Sequence, residues 1–337
     1  MRAAQFVDQH RIVIEEVPEP RVRPGAVKVR VVWSAICGSD QGLWKSPGAK
    51  PGIHGHEAAG TIVEVGEGVT RRQVGEEVLV YDVIGCGTCG YCQRREYTRC
   101  SHRQGGVGGG FGQYLVAPES NVLPIAPGIG LERGCVLSDC LCTPLKAVES
   151  AQVLADEWVV VFGGGPIGLN AVQCVRAMGG RPLHIEPLAY RREAGVRVGA
   201  QASLDPTEGD LGARIREITG PEGAPCVVEC TGVPEAQRAT FGAVAPGGRI
   251  VFVGENASGL SINVSEDLIR RDIRVQGSWY FFPSHVELAS TLFAQGRLDP
   301  LAVVSHRVTL ETIADGFRMF CDRSDGCTKV IVRMDGE

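Results

Sequence analysis

Apolar and polar positions follow two different rhythms along this chain. In residues 1–35 short strand-like runs fall at 3–7, 11–17 and 26–34, punctuated by Pro18, Pro20 and Pro24-Gly25. Strict alternation along Val27-Lys28-Val29-Arg30-Val31 is the period of a strand with one buried and one wet face. Similar runs at 61–66, 77–81 and 114–117 make the first part a β-rich domain of short strands and turns. Residues 131–149 carry a helical pattern. Then the rhythm changes. Trp158-Val-Val-Val-Phe162 is apolar at every position, as suits a parallel strand covered on both faces. From there strands at 158–162, 182–185, 203–205, 226–229, 249–254 and 273–279 are interleaved with helices at 169–178, 211–219 and 234–244. That alternation predicts an α/β fold with a doubly wound parallel sheet. The tail is mixed, with helical stretches at 286–295 and 310–321 and a closing strand at 328–332.

Composition narrows the classes. At 337 residues the chain exceeds what one ordinary core serves, so two domains are expected. Apolar and charged shares of 44% and 22% are those of a globular protein in water. No run reaches membrane-span length and the opening residues read as strand rather than signal peptide, so no membrane role is expected. A formal charge of −5 lacks the clustered cations that nucleic acid needs. Only five of the 34 basic residues are Lys, a bias that points to a GC-rich bacterial source.

Cysteines change the picture more. There are 13, an odd number, and four of them crowd into residues 86–100. That is the usage of metal binding in a reducing compartment, so a cytoplasmic location is expected. Cys86, Cys89, Cys92 and Cys100 follow one another at gaps of three, three and eight, with glycines between them. Four such thiols close a tetrahedron around one zinc with no open position, a structural site; an iron–sulfur cluster is the competing reading. A second group lies at 37–60, where Cys37, Ser39, Asp40, His54, His56 and Glu57 bring thiol, hydroxyl, imidazole and carboxylate together. A catalytic zinc takes three such ligands and keeps one position open. The glycine-rich run 105–112 leads into a strand rather than a helix, so it reads as a flexible turn and not a phosphate cradle.

Gly163-Gly164-Gly165-Pro166-Ile167-Gly168 sits between the first apolar strand and a helix, and Glu186 follows 18 positions later at the end of the next strand. In that context the glycines form a dinucleotide fingerprint: Gly163 for the tight turn, Gly165 for approach of the pyrophosphate, Gly168 for helix–strand packing. A carboxylate at Glu186 binds ribose hydroxyls and repels a 2′-phosphate, favouring NAD over NADP. Arg191 and Arg192 either form the solvated face of the next helix or meet a 2′-phosphate. Cys230-Thr231-Gly232 lies at a strand's carboxyl end, where such sheets bind ligands.

On Gly55-His56-Glu57, the four-cysteine lobe and the Gly163–Gly168 fingerprint with Glu186, the chain resembles the zinc-dependent medium-chain dehydrogenase/reductase family over nearly its whole length. The resemblance implies a GroES-like catalytic domain of residues 1–147 and 283–337, carrying the zinc lobe at 86–100, with a Rossmann domain of residues 148–282 inserted. It implies two zinc ions per chain: a structural one on Cys86, Cys89, Cys92 and Cys100, and a catalytic one on Cys37, His56 and Asp139, with Glu57 beside it. Counting back seven residues from Lys146 selects Asp139, with Cys140 as runner-up. Ser39 matches the group that takes the alcohol proton, Asp40 the carboxylate that orients the ligand imidazole, and Lys329 a basic contact to the pyrophosphate. Where many members have a relay histidine this chain has Gly42, which leaves His54 as a candidate for the relay's end, though a packing role suits it better.

The implied activity is reversible NAD-dependent oxidation of a secondary hydroxyl in a small-molecule polyol, sugar, cyclitol or aminosugar, in aminoglycoside-type specialised metabolism. Trp44 and the aromatic segment 277–281 suggest that branch, domain packing being the other reading of the aromatics. A simple alcohol or threonine-like substrate, a zinc-free quinone or enone reductase, and an inactive NAD-binding sensor are the alternatives. The family also implies a homodimer or homotetramer paired through the Rossmann sheet edge.

Overall fold

The computed structural model describes residues Met1–Met334 and divides into two compact units. The first begins as an antiparallel pair, β1 (Arg2–Asp8) and β2 (Arg11–Glu16). Its larger sheet is built on β3 (Ala26–Ala35), which pairs antiparallel with β4 (Glu57–Val65) and with β6 (Tyr114–Pro118). β5 (Glu77–Val80) extends the sheet from β4, and β7 (Val122–Pro124) from β5. Val27, Val29 and Val31 point into the core and Arg30 faces solvent, as the alternation predicts. Phe6, Phe111 and Phe317 close that core; the Phe6 and Phe317 rings meet edge to face at 5.1 Å.

In the second unit β8 (Trp158–Phe162), β9 (Arg181–Ile185), β10 (Ala202–Leu204), β11 (Ala224–Glu229), β12 (Val244–Phe252) and β13 (Arg274–Gly277) form one parallel sheet in the order β10-β9-β8-β11-β12-β13. Helices Pro166–Ala177, Ala189–Arg197, Leu211–Thr219 and Pro234–Ala243 supply the connections. The strand order reverses between β8 and β11, and the carboxyl ends of those two strands are where such a sheet offers a ligand crevice. The chain then returns to the first unit: β14 (His306–Thr309) pairs with β15 (Val330–Arg333), and β15 pairs antiparallel with β3. No helix among the described residues is long and apolar enough to cross a membrane.

Three features depart from expectation. The helix expected at 131–149 is broken into Gly130–Val136 and Cys142–Ser150 by a π-type turn at Leu137–Leu141, where Ser138 has ψ −106°. Pro144 is the cause, because it has no N–H for the carbonyl four residues back and its ring crowds that carbonyl. Domain limits shift as well. The first unit ends at Cys140 rather than 147, and residues 291–303 join the second unit. The reason is packing: the Asp299 N–H donates to Gln173 and the Arg297 guanidinium to the Ala177 carbonyl, both on the Pro166–Ala177 helix. The glycine run 105–112, expected as a flexible turn, is pinned instead: the N–H groups of Gly109, Gly110 and Phe111 donate to the carbonyls of Ile53, Gly55 and His54 at 2.8–3.0 Å.

The second unit is tied by Arg249 on β12, whose guanidinium donates to the carbonyls of Ala151, Gln152 and Pro225 and to the Glu157 carboxylate. Partial burial works against the Glu157 charge, but the Arg249 hydrogen bonds outweigh it and hold its carboxyl below the usual range. A depressed folded value adds stability above the unfolded glutamate pKa and loses it as pH falls through the folded one. Glu157→Gln is therefore expected to cost about 2 kcal/mol at pH 7, with the difference from the parent shrinking below pH ~4. Urea unfolding of both proteins at the two pH values measures this.

Candidate active site

The first unit brings four donors from distant segments to one point. Cys37 lies just past the end of β3, His56 and Glu57 at the start of β4, and Asp139 in the π-type turn. One ligand atom from each lies within 4.8 Å of all the others. The Cys37 Sγ is 3.5 Å and the His56 Nε2 is 3.4 Å from the same Asp139 oxygen. Zinc bonds of about 2.3 Å to sulfur and about 2.0–2.2 Å to nitrogen and oxygen span tetrahedral edges of roughly 3.4–3.6 Å. The donor set therefore fits zinc without rearrangement. Cys140, the alternative donor, is wholly buried and outside the cluster, because the break in the helix turns Asp139 inward in its place.

Electrostatics agree with a cation there. Burial pushes the Cys37 thiol up, and the neighbouring Asp139 carboxylate adds to it. Burial lowers the His56 imidazole, but Cys37 and Asp139 outweigh it and carry the group well above its ordinary value. Glu57 is raised to about 7 by burial, against the pull of Lys329. Three acidic groups and an imidazole press their charges on one another, the signature of a site that expects a positive ion. The Glu57 Oε2 is buried with no hydrogen-bond partner, an atom that a cation would satisfy.

Supporting residues surround the donors. The Asp40 carboxylate accepts the Cys37 N–H at 2.9 Å and stands 3.7 Å from the His56 Nδ1, leaving Nε2 for Asp139. Burial raises Asp40, with His56 pulling the other way. Ser39 is exposed on the single turn Gly38–Asp40. Gly42 is exposed too, and a side chain there would meet nothing within 4 Å. His54 packs its ring edge to face on Phe6 at 5.8 Å, the packing role expected of it. Trp44, which in the sequence hints at the polyol branch, is a core residue stacked on Phe317 at 5.9 Å.

Lys329 also departs from expectation. It is 1% exposed, and its ammonium donates at 2.8 Å to both the Glu57 carboxylate and the Ile36 carbonyl. A side chain so enclosed has no face left for a pyrophosphate. Burial works against its charge, but Cys140, Glu57 and Cys37 raise it well above an ordinary lysine.

In the cysteine lobe the four Sγ atoms of Cys86, Cys89, Cys92 and Cys100 lie within 4.8 Å of one another, and no disulfide joins any of the thirteen cysteines. Cys86 and Cys92 are 3.9 Å apart, close to the roughly 3.8 Å edge of a zinc tetrathiolate and far from the roughly 2.05 Å of a disulfide. Such spacing suits one ion, not a multi-iron cluster. Hydrogen bonds from the Thr88 hydroxyl and nearby backbone lower the Cys86 thiol to about 5, and burial raises Cys92 to about 12.

In the second unit the glycine fingerprint forms the turn from β8 into the Pro166–Ala177 helix. Gly163 has φ +105°, and a Cβ on Gly168 would fall 1.8 Å from the Gly163 carbonyl oxygen, so neither position admits a side chain. Gly165 caps the helix with open space where a side chain would stand, and Pro166 and Ile167 open its first turn. The Glu186 carboxylate accepts the N–H groups of Gly164 at 2.6 Å and Leu188 at 3.0 Å, which fixes it against the loop. The donor-lined turn and the carboxylate fit a dinucleotide. Thr231, at the end of β11, touches Gly163, while burial drives the Cys230 thiol well up. Arg191 and Arg192 are not a solvated face. Arg191 is 8% exposed beside Gly164, and Arg192 donates to the Glu186 carbonyl and the Asp205 carboxylate. Sequence reasoning passed over His184, which is fully buried and joins Gly163 O and Ser203 Oγ at 3.1 Å each. A lone imidazole inside an otherwise apolar strand was its signal, since a buried polar ring must find partners.

Residues 23–127 match the family of alcohol dehydrogenase GroES-like domains, and residues 166–295 the family of zinc-binding dehydrogenases. The chain is 31% identical to a sorbitol dehydrogenase of Halalkalibacterium halodurans over 88% of its length and 89% of the relative's. It is also 31% identical to an L-threonine 3-dehydrogenase of Pyrococcus abyssi, over 87% of this chain and 86% of that one. Among solved structures, the alcohol dehydrogenase TADH from Thermus sp. ATN1 superposes with a TM-score of 0.91 at 30% identity, covering 99% and 100% of the two chains.

Metal analysis separates the two donor sets. The purified protein is expected to carry two zinc ions per chain, Asp139→Ala about one, and Cys92→Ser about one with a lower melting temperature. Two ions retained in Asp139→Ala would remove Asp139 from the ligand set.

Proposed function

This chain belongs to the zinc-dependent medium-chain dehydrogenase/reductase family, NAD(P)-dependent oxidoreductases, and on that premise we propose that it oxidises a secondary hydroxyl of a polyol, sugar, cyclitol or aminosugar to a ketone, reversibly. The observation that carries the reading is the convergence of Cys37, His56, Glu57 and Asp139, with one buried Glu57 oxygen left without a partner. When bound, zinc supplies Lewis-acid polarisation of a substrate hydroxyl and NAD(P) supplies a hydride acceptor.

The protein's part is position and charge. Cys37, His56 and Asp139 hold the ion, and Asp40 keeps the His56 ring in the orientation that presents Nε2. Glu57 stands beside the ion, its negative charge balanced by Lys329. Ser39 takes the hydroxyl proton as the carbon loses hydride. With Gly42 in place of a relay histidine, that proton passes from Ser39 toward solvent. Gly163, Gly165, Pro166, Ile167 and Gly168 receive the pyrophosphate at the helix N-terminus. Glu186 accepts from the ribose hydroxyls and repels a 2′-phosphate, so NAD is the preferred cofactor. Arg191, beside the same loop, and Cys230 and Thr231 at the end of β11 complete the nucleotide's surroundings. Thirteen cysteines with no disulfide among them suit a reducing, cytoplasmic compartment.

The same reading makes the protein a homo-oligomer. β13 is an uncovered edge strand exposed at all four positions, with Val275 42%, Trp279 46% and Ile269 65% exposed on the same unit. An unpaired strand edge of this kind, with Val275 exposed on it, is a pairing surface. Val275→Lys is expected to lower the mass measured by light scattering on a sizing column, and an unchanged mass would place the interface elsewhere.

Turnover tests the chemistry. Across a panel of polyols, aminosugars and primary alcohols, NAD reduction is expected with the first two classes. Ser39→Ala should lower kcat/KM about 10²-fold or more, and Asp139→Ala should abolish turnover. Reduction with primary alcohols alone would sink the substrate class.

A further inference from the structure

The end of β9 makes three contacts to the glycine loop, and they converge on one peptide. The Gly163 N–H donates to the Ile185 carbonyl at 2.9 Å, the Gly163 carbonyl lies 3.1 Å from the His184 Nε2, and the Gly164 N–H donates to the Glu186 carboxylate at 2.6 Å. A carbonyl oxygen only accepts, so Nε2 carries a proton and donates to Gly163. His184 and Glu186 stand two positions apart at the end of β9 and present their side chains to the same face. The Gly163–Gly164 peptide is therefore gripped at its carbonyl by one side chain and at its N–H by the other. Behind the ring, the His184 Nδ1 lies 3.1 Å from the Ser203 hydroxyl on β10. Gly195, in the helix Ala189–Arg197, makes room for the imidazole, since a Cβ there would stand 2.2 Å from Nδ1. The ring is fully buried between apolar Leu183 and Ile185, a place where an imidazole costs stability unless its nitrogens are hydrogen-bonded.

We propose that His184 is a positioning residue for the dinucleotide: together with Glu186 it clamps the Gly163–Gly164 peptide, and so sets the loop that receives the pyrophosphate. The proposal rests on the dinucleotide reading of that loop. Two adjacent glycines form the most freely turning link a chain can have. Gly163 stands at φ +105° and leads through Gly165 into the helix at Pro166, so a turn of that peptide displaces the helix N-terminus on which an anion is held. Glu186 grips only the N–H end, and the peptide can pivot about that one bond until its carbonyl is held as well. The effect falls on ligands that carry the pyrophosphate. Adenosine, which has no phosphate, does not depend on the loop in this way.

The test measures binding of ADP-ribose and of adenosine to the zinc-loaded protein by titration calorimetry, for the parent, His184→Met and His184→Gln. Both replacements match the imidazole in reach, and only glutamine carries an N–H at the place of Nε2. His184→Met should weaken ADP-ribose about tenfold and leave adenosine within about twofold, and His184→Gln should recover most of the loss. Ser203→Ala, a milder change that leaves the ring its Gly163 partner, should weaken ADP-ribose about threefold. Without ligand, the Gly164 amide should exchange its hydrogen about tenfold faster in His184→Met than in the parent or in His184→Gln. A merely structural role would lower the melting temperature and weaken both ligands alike, with no recovery in His184→Gln, and that pattern overturns the proposal. So does an unchanged ADP-ribose affinity in His184→Met or, should that variant not fold, in Ser203→Ala. The dinucleotide reading fails separately, as a parent that binds neither ADP-ribose nor NADH while the exchange difference at Gly164 persists; that result would overturn the role in binding and leave the clamp.

Discussion

The ion pair between Lys329 and Glu57 is the constraint on which the catalytic unit depends. Its two residues are 272 positions apart, and the same ammonium reaches the Ile36 carbonyl across 293. A buried charge must be paired or it costs several kcal/mol, so β15 cannot leave the sheet without stranding Glu57 inside the protein. The pair therefore fastens the returning C-terminal segment to the two stretches that carry Cys37 and His56. It also sets the charge balance at the donors, since Lys329 opposes the rise that burial imposes on Glu57.

Around that anchor, irregular backbone does most of the positioning. Cys37 lies at the mouth of a single 3₁₀ turn, His56 follows a loop held by the pinned glycine run, and Asp139 sits in a π-type turn. Each of these departs from regular structure where a ligand is needed. A straight helix through residues 131–149 would place successive side chains by its own period, and the turn forced by Pro144 is what sets Asp139 rather than Cys140 toward the donors. The same glycine run lets Gly106 and Gly108 wall the adjoining cavity, so one loop both holds the segment that carries His56 and lines that cavity.

The nucleotide unit shows the same economy by a different means. Its loop is held from behind by the His184 imidazole, from the side by Thr231 and at Gly164 by Glu186. Burial lowers the His184 imidazole, and its two ring nitrogens bridge the Gly163 carbonyl and the Ser203 hydroxyl at 3.1 Å each. A loop braced in this way meets a pyrophosphate already formed, which reduces the ordering cost of binding.

Much of this was legible in the residues alone, for a physical reason. Strand alternation, the run Trp158–Phe162, the Cys86–Cys100 spacing and the glycine turn are all set within a window of a few residues, where period, backbone sterics and ligand spacing act locally. Even the break in the helix had a local sign in Pro144. What the tertiary structure decided were the pairings across long separations. It buried Lys329 against Glu57 instead of leaving it for a pyrophosphate, put Trp44 in the core, buried Arg191 beside Gly164, and brought Asp82 and His56 to one cavity. No local rule carries that information, because which distant groups share a low-dielectric interior depends on how the sheets close.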